Sequence, residues 1–112
     1  MDVKTGGEDA NRLKTHPMVT VHPESGKKVL FITGIYSLAI EGMHLHESQL
    51  LLETLQTKIV ENPLNLCRFR WEPGSMAMWD NRCVQHLPMA DYQGQRREML
   101  RTIVSGGVPT GV

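Results

Sequence analysis

Met78-Trp79-Asp80-Asn81-Arg82-Cys83-Val84-Gln85-His86, followed by Arg96-Arg97-Glu98-Met99-Leu100-Arg101, is the stretch on which the interpretation of this chain turns. An apolar, strand-like run ends in a Trp-Asp-Asn turn, and a histidine follows within one short extended segment. Arginines recur eleven and fifteen positions after that histidine, at Arg97 and Arg101. One imidazole beside two permanently charged guanidinium forks is the donor set that a metal site holding a small dianionic cosubstrate would use.

The same period of two extends on both sides of this stretch. Leu64 to Trp71, Ser75 to Trp79, Val84 to Leu87 and Arg97 to Val104 all read as strands, with a turn at Glu72-Pro73-Gly74. Upstream, Leu51, Leu52, Leu55 and Ile59 fall at helical spacing from about Glu47, with Leu50 widening the stripe. Asn62-Pro63 ends that helix, because proline cannot continue the hydrogen-bond ladder. Met18 to His22 alternates and is β-branched, Pro23-Glu24-Ser25-Gly26 is a tight turn, and Lys27 to Thr33 returns, which makes a hairpin. Ile35 to Ile40 reads as extended and is closed by Glu41-Gly42. Residues 1–14 are polar and glycine-containing and read as a flexible lead-in, and residues 106–112 as a tail without periodicity. The chain is therefore mainly β with one surface helix, and its turns suit an antiparallel sandwich or barrel.

A length of 112 residues fits one domain, and 40% apolar content describes a globular chain. Twelve basic residues balance twelve acidic ones, so no cationic excess exists to displace phosphate counterions, and nucleic-acid binding is not expected. No apolar run is long enough for a membrane span and Met1 to Asp9 has no signal-like core, so the expectation is a cytoplasmic protein with no membrane partner. Cys67 and Cys83 lack metal-type spacing and are expected to be reduced, partly buried thiols.

His86 is the candidate metal ligand. A lone strand histidine is usually structural, but neutral imidazole also suits ferrous iron in a two-histidine, one-carboxylate face. Arg97 and Arg101, four apart, share one face if their segment is a strand, about 13 Å apart along the backbone. Facing inward, they would need internal carboxylates or an anionic ligand; the alternative is that one or both face solvent. Trp79-Asp80-Asn81 reads as a structural turn that sets the direction of the chain into His86. His16 and His22 precede prolines at the hairpin surface, and His44 and His46 sit just before the helix. His22-Pro23-Glu24 is the one His-x-acid triplet, yet proline and turn chemistry make it a poor iron site. Zinc binding by His44 and His46 with a cysteine has no spacing to support it.

From about Thr15 to Ser105 the sequence resembles the C-terminal half of the Fe(II)- and 2-oxoglutarate-dependent dioxygenases of the taurine dioxygenase and 2,4-D dioxygenase type. The resemblance runs through His22-Pro23-Glu24-Ser25-Gly26-Lys27, Glu47-Ser48, Cys67-Arg68-Phe69-Arg70-Trp71, Pro73-Gly74, Trp79-Asp80-Asn81-Arg82 to His86, and Arg97 with Arg101. It implies a double-stranded β-helix (jelly roll), here incomplete, with a helix packed outside. His86 would be the distal histidine of the iron triad, Arg101 would clamp the far carboxylate of 2-oxoglutarate, and Arg97 would help hold that cosubstrate or the acidic group of the prime substrate. The implied reaction consumes dioxygen, converts 2-oxoglutarate to succinate and CO2, and hydroxylates a small anionic substrate: a sulfonate, an alkyl sulfate or an aryloxy-carboxylate. Met78, Cys83 and Arg96 to Met99 lean slightly toward the aryloxyacetate branch.

The sequence departs from that pattern in one respect. The family's other two ligands form a His-x-Asp pair, and His16, His44 and His46 have no acid two residues on. The chain is then either the carboxyl-terminal portion of a longer enzyme or incomplete gene model, or a truncated, non-catalytic half-barrel that keeps an anion-binding or assembly role. A half-domain that cannot bury its sheet and aggregates alone is a third option. Homo-oligomerisation is left open.

Overall fold

The computed structural model describes residues 1–6 and 13–112. Its elements in chain order are β1 (Asp2–Thr5), β2 (Lys14–Pro17), β3 (Val19–Val21), β4 (Lys28–Leu30), β5 (Ser37–Ile40) and α1 (Leu45–Glu61), with a single 3-10 turn at Pro63–Asn65. Two antiparallel sheets form: β2-β1-β5 and β3-β4. The architecture is mainly β with one helix, and the described residues make no closed double-stranded β-helix.

The two sheets share one bent strand. β2 and β3 are separated only by Met18, whose N–H donates to Met1 O at 2.9 Å while its carbonyl accepts Phe31 N–H at 2.8 Å. The strand thus changes sheets at Met18, a way β-rich folds turn corners. Met18 is buried there with Val3, Ile32, Ile40 and Leu52, which together form the core.

β1 differs from expectation. Residues 2–5 were expected within the flexible lead-in, yet β1 is the central strand, with Val3 opposite His16 on one side and Ile40 on the other. Val3 is 0% exposed. Both neighbours supply its ladder, so one apolar side chain in a polar context suffices to seat it. The rest of the lead-in, residues 7–12, lies outside the described residues.

The hairpin β3-β4 forms as expected, in the register Val19 to Leu30, Thr20 to Val29 and Val21 to Lys28. Its turn needs glycine at Gly26, where φ is +66°. The tail, expected to be without structure, lays Gly111 against Thr20 as a bridge, and Thr110 O accepts Val21 N–H at 3.0 Å. The outer edge of β3 is thereby covered.

The helix also forms as the apolar spacing indicates, running from Leu45 to Glu61 and ending at Asn62. Leu52 is buried, and Leu51, Leu55 and Ile59 pack against the core. Leu50 is a correction: it is 51% exposed, so the stripe is narrower than expected. Glu47 in the first turn and Lys58 in the last complement the helix dipole.

The four strands expected after the helix do not form. Beyond the 3-10 turn at Pro63–Asn65 the described chain has no ladder except the Gly111 bridge. The total accessible surface is 9837 Å², against about 6,200 Å² for a compact chain of this mass. Alternation survives locally: Ser75, Ala77 and Trp79 are half-buried, whereas Met76 and Met78 are 86% and 93% exposed. A period of two requires a facing sheet and a neighbouring strand, and the described residues offer neither to these segments.

Candidate active site

His86 closes a loop that begins at Trp79. Inside it, Asp80 O accepts Cys83 N–H at 3.1 Å and Val84 N–H at 2.9 Å, and Asp80 Oδ1 accepts Arg82 N–H at 2.9 Å. This is the turn chemistry aspartate supplies. Trp79 Nε1–H donates to Asn81 Oδ1 at 2.9 Å, and the Trp79 and His86 rings lie 4.7 Å apart at 43°. The expected structural role of Trp79-Asp80-Asn81 is therefore what the side chains perform: Asn81 holds the indole N–H, and the imidazole packs beside the indole at a tilt.

The loop is tied to the rest of the molecule at two points. His22 Nε2 lies 3.0 Å from Asp80 Oδ2. The backbone N–H groups of Glu24 and Ser25 point at His22 Nδ1 at 3.3 and 3.2 Å, so Nδ1 accepts and Nε2 carries the proton given to Asp80. Gln85 forms the second tie: its Nε2–H donates to Ile32 O at 2.7 Å, and its Oε1 accepts Gln56 Nε2–H from α1 at 3.0 Å. His22 had been placed on the hairpin surface, but its side chain is only 10% exposed.

Charge reinforces the first tie. Arg82 grips Asp80 with Nε–H to Oδ1 at 2.8 Å and Nη2–H to Oδ2 at 2.6 Å, and reaches Glu24 Oε1 at 3.1 Å. The Arg82 hydrogen bonds, then the His22 bond, hold the Asp80 carboxyl well below the usual carboxylate range. The guanidinium is in turn held above its ordinary value, first by Asp80 and then by Glu24.

His22, Asp80 and Cys83 place donor atoms within 4.8 Å of one another, the one such group among the described residues. A cation there would have to displace the Arg82 fork and the His22 proton, so the cluster is a latch rather than a metal centre. Its members were missed because each half reads as an ordinary turn.

His86, Arg97 and Arg101 are all exposed, and none of them lines a buried site among the described residues. Arg97 lies 5.1 Å over the Tyr92 ring. Residues 97–104 form no strand, so Arg97 and Arg101 share no strand face, and both are exposed. Cys67 and Cys83, expected to be partly buried, are free and exposed. No described helix is long and apolar enough to cross a membrane. His86 belongs to no group of three or more potential metal ligands among the described residues. The donor set fits one ligand of a ferrous site, not the whole site.

A mainly β chain that presents a histidine from a Trp-Asp-Asn loop is what fold and site define, and comparison with known proteins gives the kinship. Residues 5–103 match the profile of the taurine catabolism dioxygenase TauD, TfdA family, and the chain belongs to that family. It is 42% identical over 96 residues to an alkylsulfatase of Acinetobacter baylyi, covering 86% of this chain and 30% of that protein. Against an alpha-ketoglutarate-dependent sulfate ester dioxygenase of Pseudomonas putida it is 42% identical over 97 residues, 87% of this chain and 32% of that one. An alpha-ketoglutarate-dependent sulfonate dioxygenase of Saccharomyces cerevisiae is 40% identical over 79 residues, 70% and 19% of the two chains. The chain thus spans about a third or less of the length of these relatives.

Proposed function

We propose that this chain is the carboxyl-terminal portion of an iron- and 2-oxoglutarate-dependent dioxygenase that hydroxylates a small anionic substrate. The observation that carries this is the family match across residues 5–103, which includes the Trp79 to His86 loop and both Arg97 and Arg101. Relatives named for alkyl sulfate, sulfate ester and sulfonate chemistry support a sulfate ester or sulfonate rather than an aryloxy-carboxylate as the substrate. In this reading His86 contributes one imidazole to the iron, and the remaining ligands come from polypeptide that is not among the described residues. Bound iron would supply the activation of dioxygen that converts 2-oxoglutarate to succinate and CO2. The part left to this chain is placement: Arg101 would hold the far carboxylate of 2-oxoglutarate bidentately, and Arg97 that cosubstrate or the substrate's acidic group. Because these side chains are exposed, they would enclose a ligand only once the segments after α1 gain strand partners.

Two measurements on the whole polypeptide that carries this chain as its carboxyl-terminal portion test the proposal: 2-oxoglutarate binding by calorimetry, and succinate release with ferrous iron, ascorbate and an alkyl sulfate. Binding abolished by Arg101→Ala together with turnover supports the enzyme. Binding lost in that variant with no turnover selects the non-catalytic half-barrel. Binding that Arg101→Ala leaves intact removes the assigned role of the arginine.

A further inference from the structure

We infer that His22 and Gln85 are positioning residues for His86, fixing the direction of its imidazole from the two ends of the Trp79 to His86 loop. The inference rests on the reading of His86 as a metal ligand and adds to it two residues on separate elements. A ligand imidazole is useful only when its lone pair is aimed within about 10–20° of the productive direction. The aromatic neighbour that sets that angle for the His86 ring is Trp79, at 4.7 Å. Trp79 is itself directed by what holds Asp80, the next residue in the chain. There, His22 Nε2–H reaches Oδ2 from the β3-β4 turn at 3.0 Å, while Arg82 takes both carboxylate oxygens.

The other end is fixed one residue before the imidazole. Gln85 donates to Ile32 O just after β4 and accepts from Gln56 on α1, so its side chain is held by two elements at once. His86 thus hangs from a loop whose two ends are bound to the hairpin and the helix. Leu87, immediately after it, is 75% exposed and adds no further restraint.

The test is the NMR shift of the His86 ring protons in the full chain, displaced by the ring current of Trp79. Expected is loss of most of that displacement in His22→Ala and in Gln85→Ala, with β1 and β5 amide shifts unchanged. His22→Gln restores it, because an amide N–H replaces Nε2–H toward Asp80. Identical His86 shifts in wild type and in both alanine variants overturn the inference. A glutamine that fails to rescue while the hairpin amides stay in place overturns the His22 half. Added Co²⁺ separates the underlying reading: broadening at His86 that weakens in the alanine variants supports both. Displaced ring shifts with no broadening in any chain support the positioning and sink the ligand role.

Discussion

His22 Nε2 and Asp80 Oδ2 lie 3.0 Å apart across 58 positions of sequence, and through this contact the β3-β4 hairpin holds the loop that ends at His86. The link is charged on the Asp80 side, and Arg82 is the first reason the carboxyl sits below its usual range. A carboxyl whose folded value is depressed stabilises above its unfolded value, about 3.9, and loses that contribution as pH falls through the lower folded value. Carbon-detected titration of the Asp80 carboxyl should therefore show it ionised through pH 4 and below. In Arg82→Ala the midpoint should rise toward the ordinary aspartate value. A midpoint that does not move on this substitution contradicts the assignment of Arg82 as the main cause.

A second buried contact ties the helix to the sheet. Ser48 Oγ on α1 accepts the backbone N–H of Ile40 in β5, and the two residues are 0% and 2% exposed. Ser48→Ala leaves that N–H buried without its partner, which costs about 1–3 kcal/mol. Urea unfolding should show the midpoint lowered by that free energy divided by the slope, with the slope itself kept. A midpoint within error of wild type would mean that Ile40 N–H has another acceptor.

Val3 gives the sharpest test of the sheet. It is the buried centre of β1, between His16 and Ile40. Val3→Ala removes about two methyl equivalents, or about 2 kcal/mol. Val3→Asp buries an unpaired carboxylate and should abolish cooperative unfolding. The neighbouring Lys4, whose 3.9 Å pair with Glu41 is half-exposed, should tolerate alanine at a cost under about 1 kcal/mol. Equal effects at the two positions in thermal unfolding would show that β1 is not held as described.

These residues also show what the sequence makes legible. The helix is readable because Leu51, Leu52, Leu55 and Ile59 record its contact face in their spacing, and the hairpin because Pro23 and Gly26 record its turn. β1 is not readable, because its evidence is one valine whose burial depends on two other strands, one of them as far along the chain as Ser37–Ile40. The latch is invisible for the same reason: His22 and Asp80 each satisfy a local turn pattern, and only tertiary structure pairs them. The segments after α1 fail in the opposite direction. In one of them the period of two survives, as the half-burial of Ser75, Ala77 and Trp79 shows, but alternation states a need for a partner and does not provide one. Arg97 and Arg101 inherit that failure, since their common face exists only on a strand.

The unmet need has a measurable consequence. Leu64, Met76, Met78, Leu100 and Val104 are each at least 86% exposed, far more apolar surface than an isolated folded chain carries comfortably. Extended apolar segments with free backbone groups associate by edge pairing and by contact of their side chains. Sedimentation velocity should therefore show an apparent mass that rises with concentration. Replacing Met78 and Leu100 with glutamate should lower it while leaving the β2-β1-β5 amide shifts unchanged. A chain that stays monomeric at every concentration, with no binding of an apolar dye, would mean that these side chains bury one another in solution. The segments after α1 would then already possess the partner that the described fold denies them.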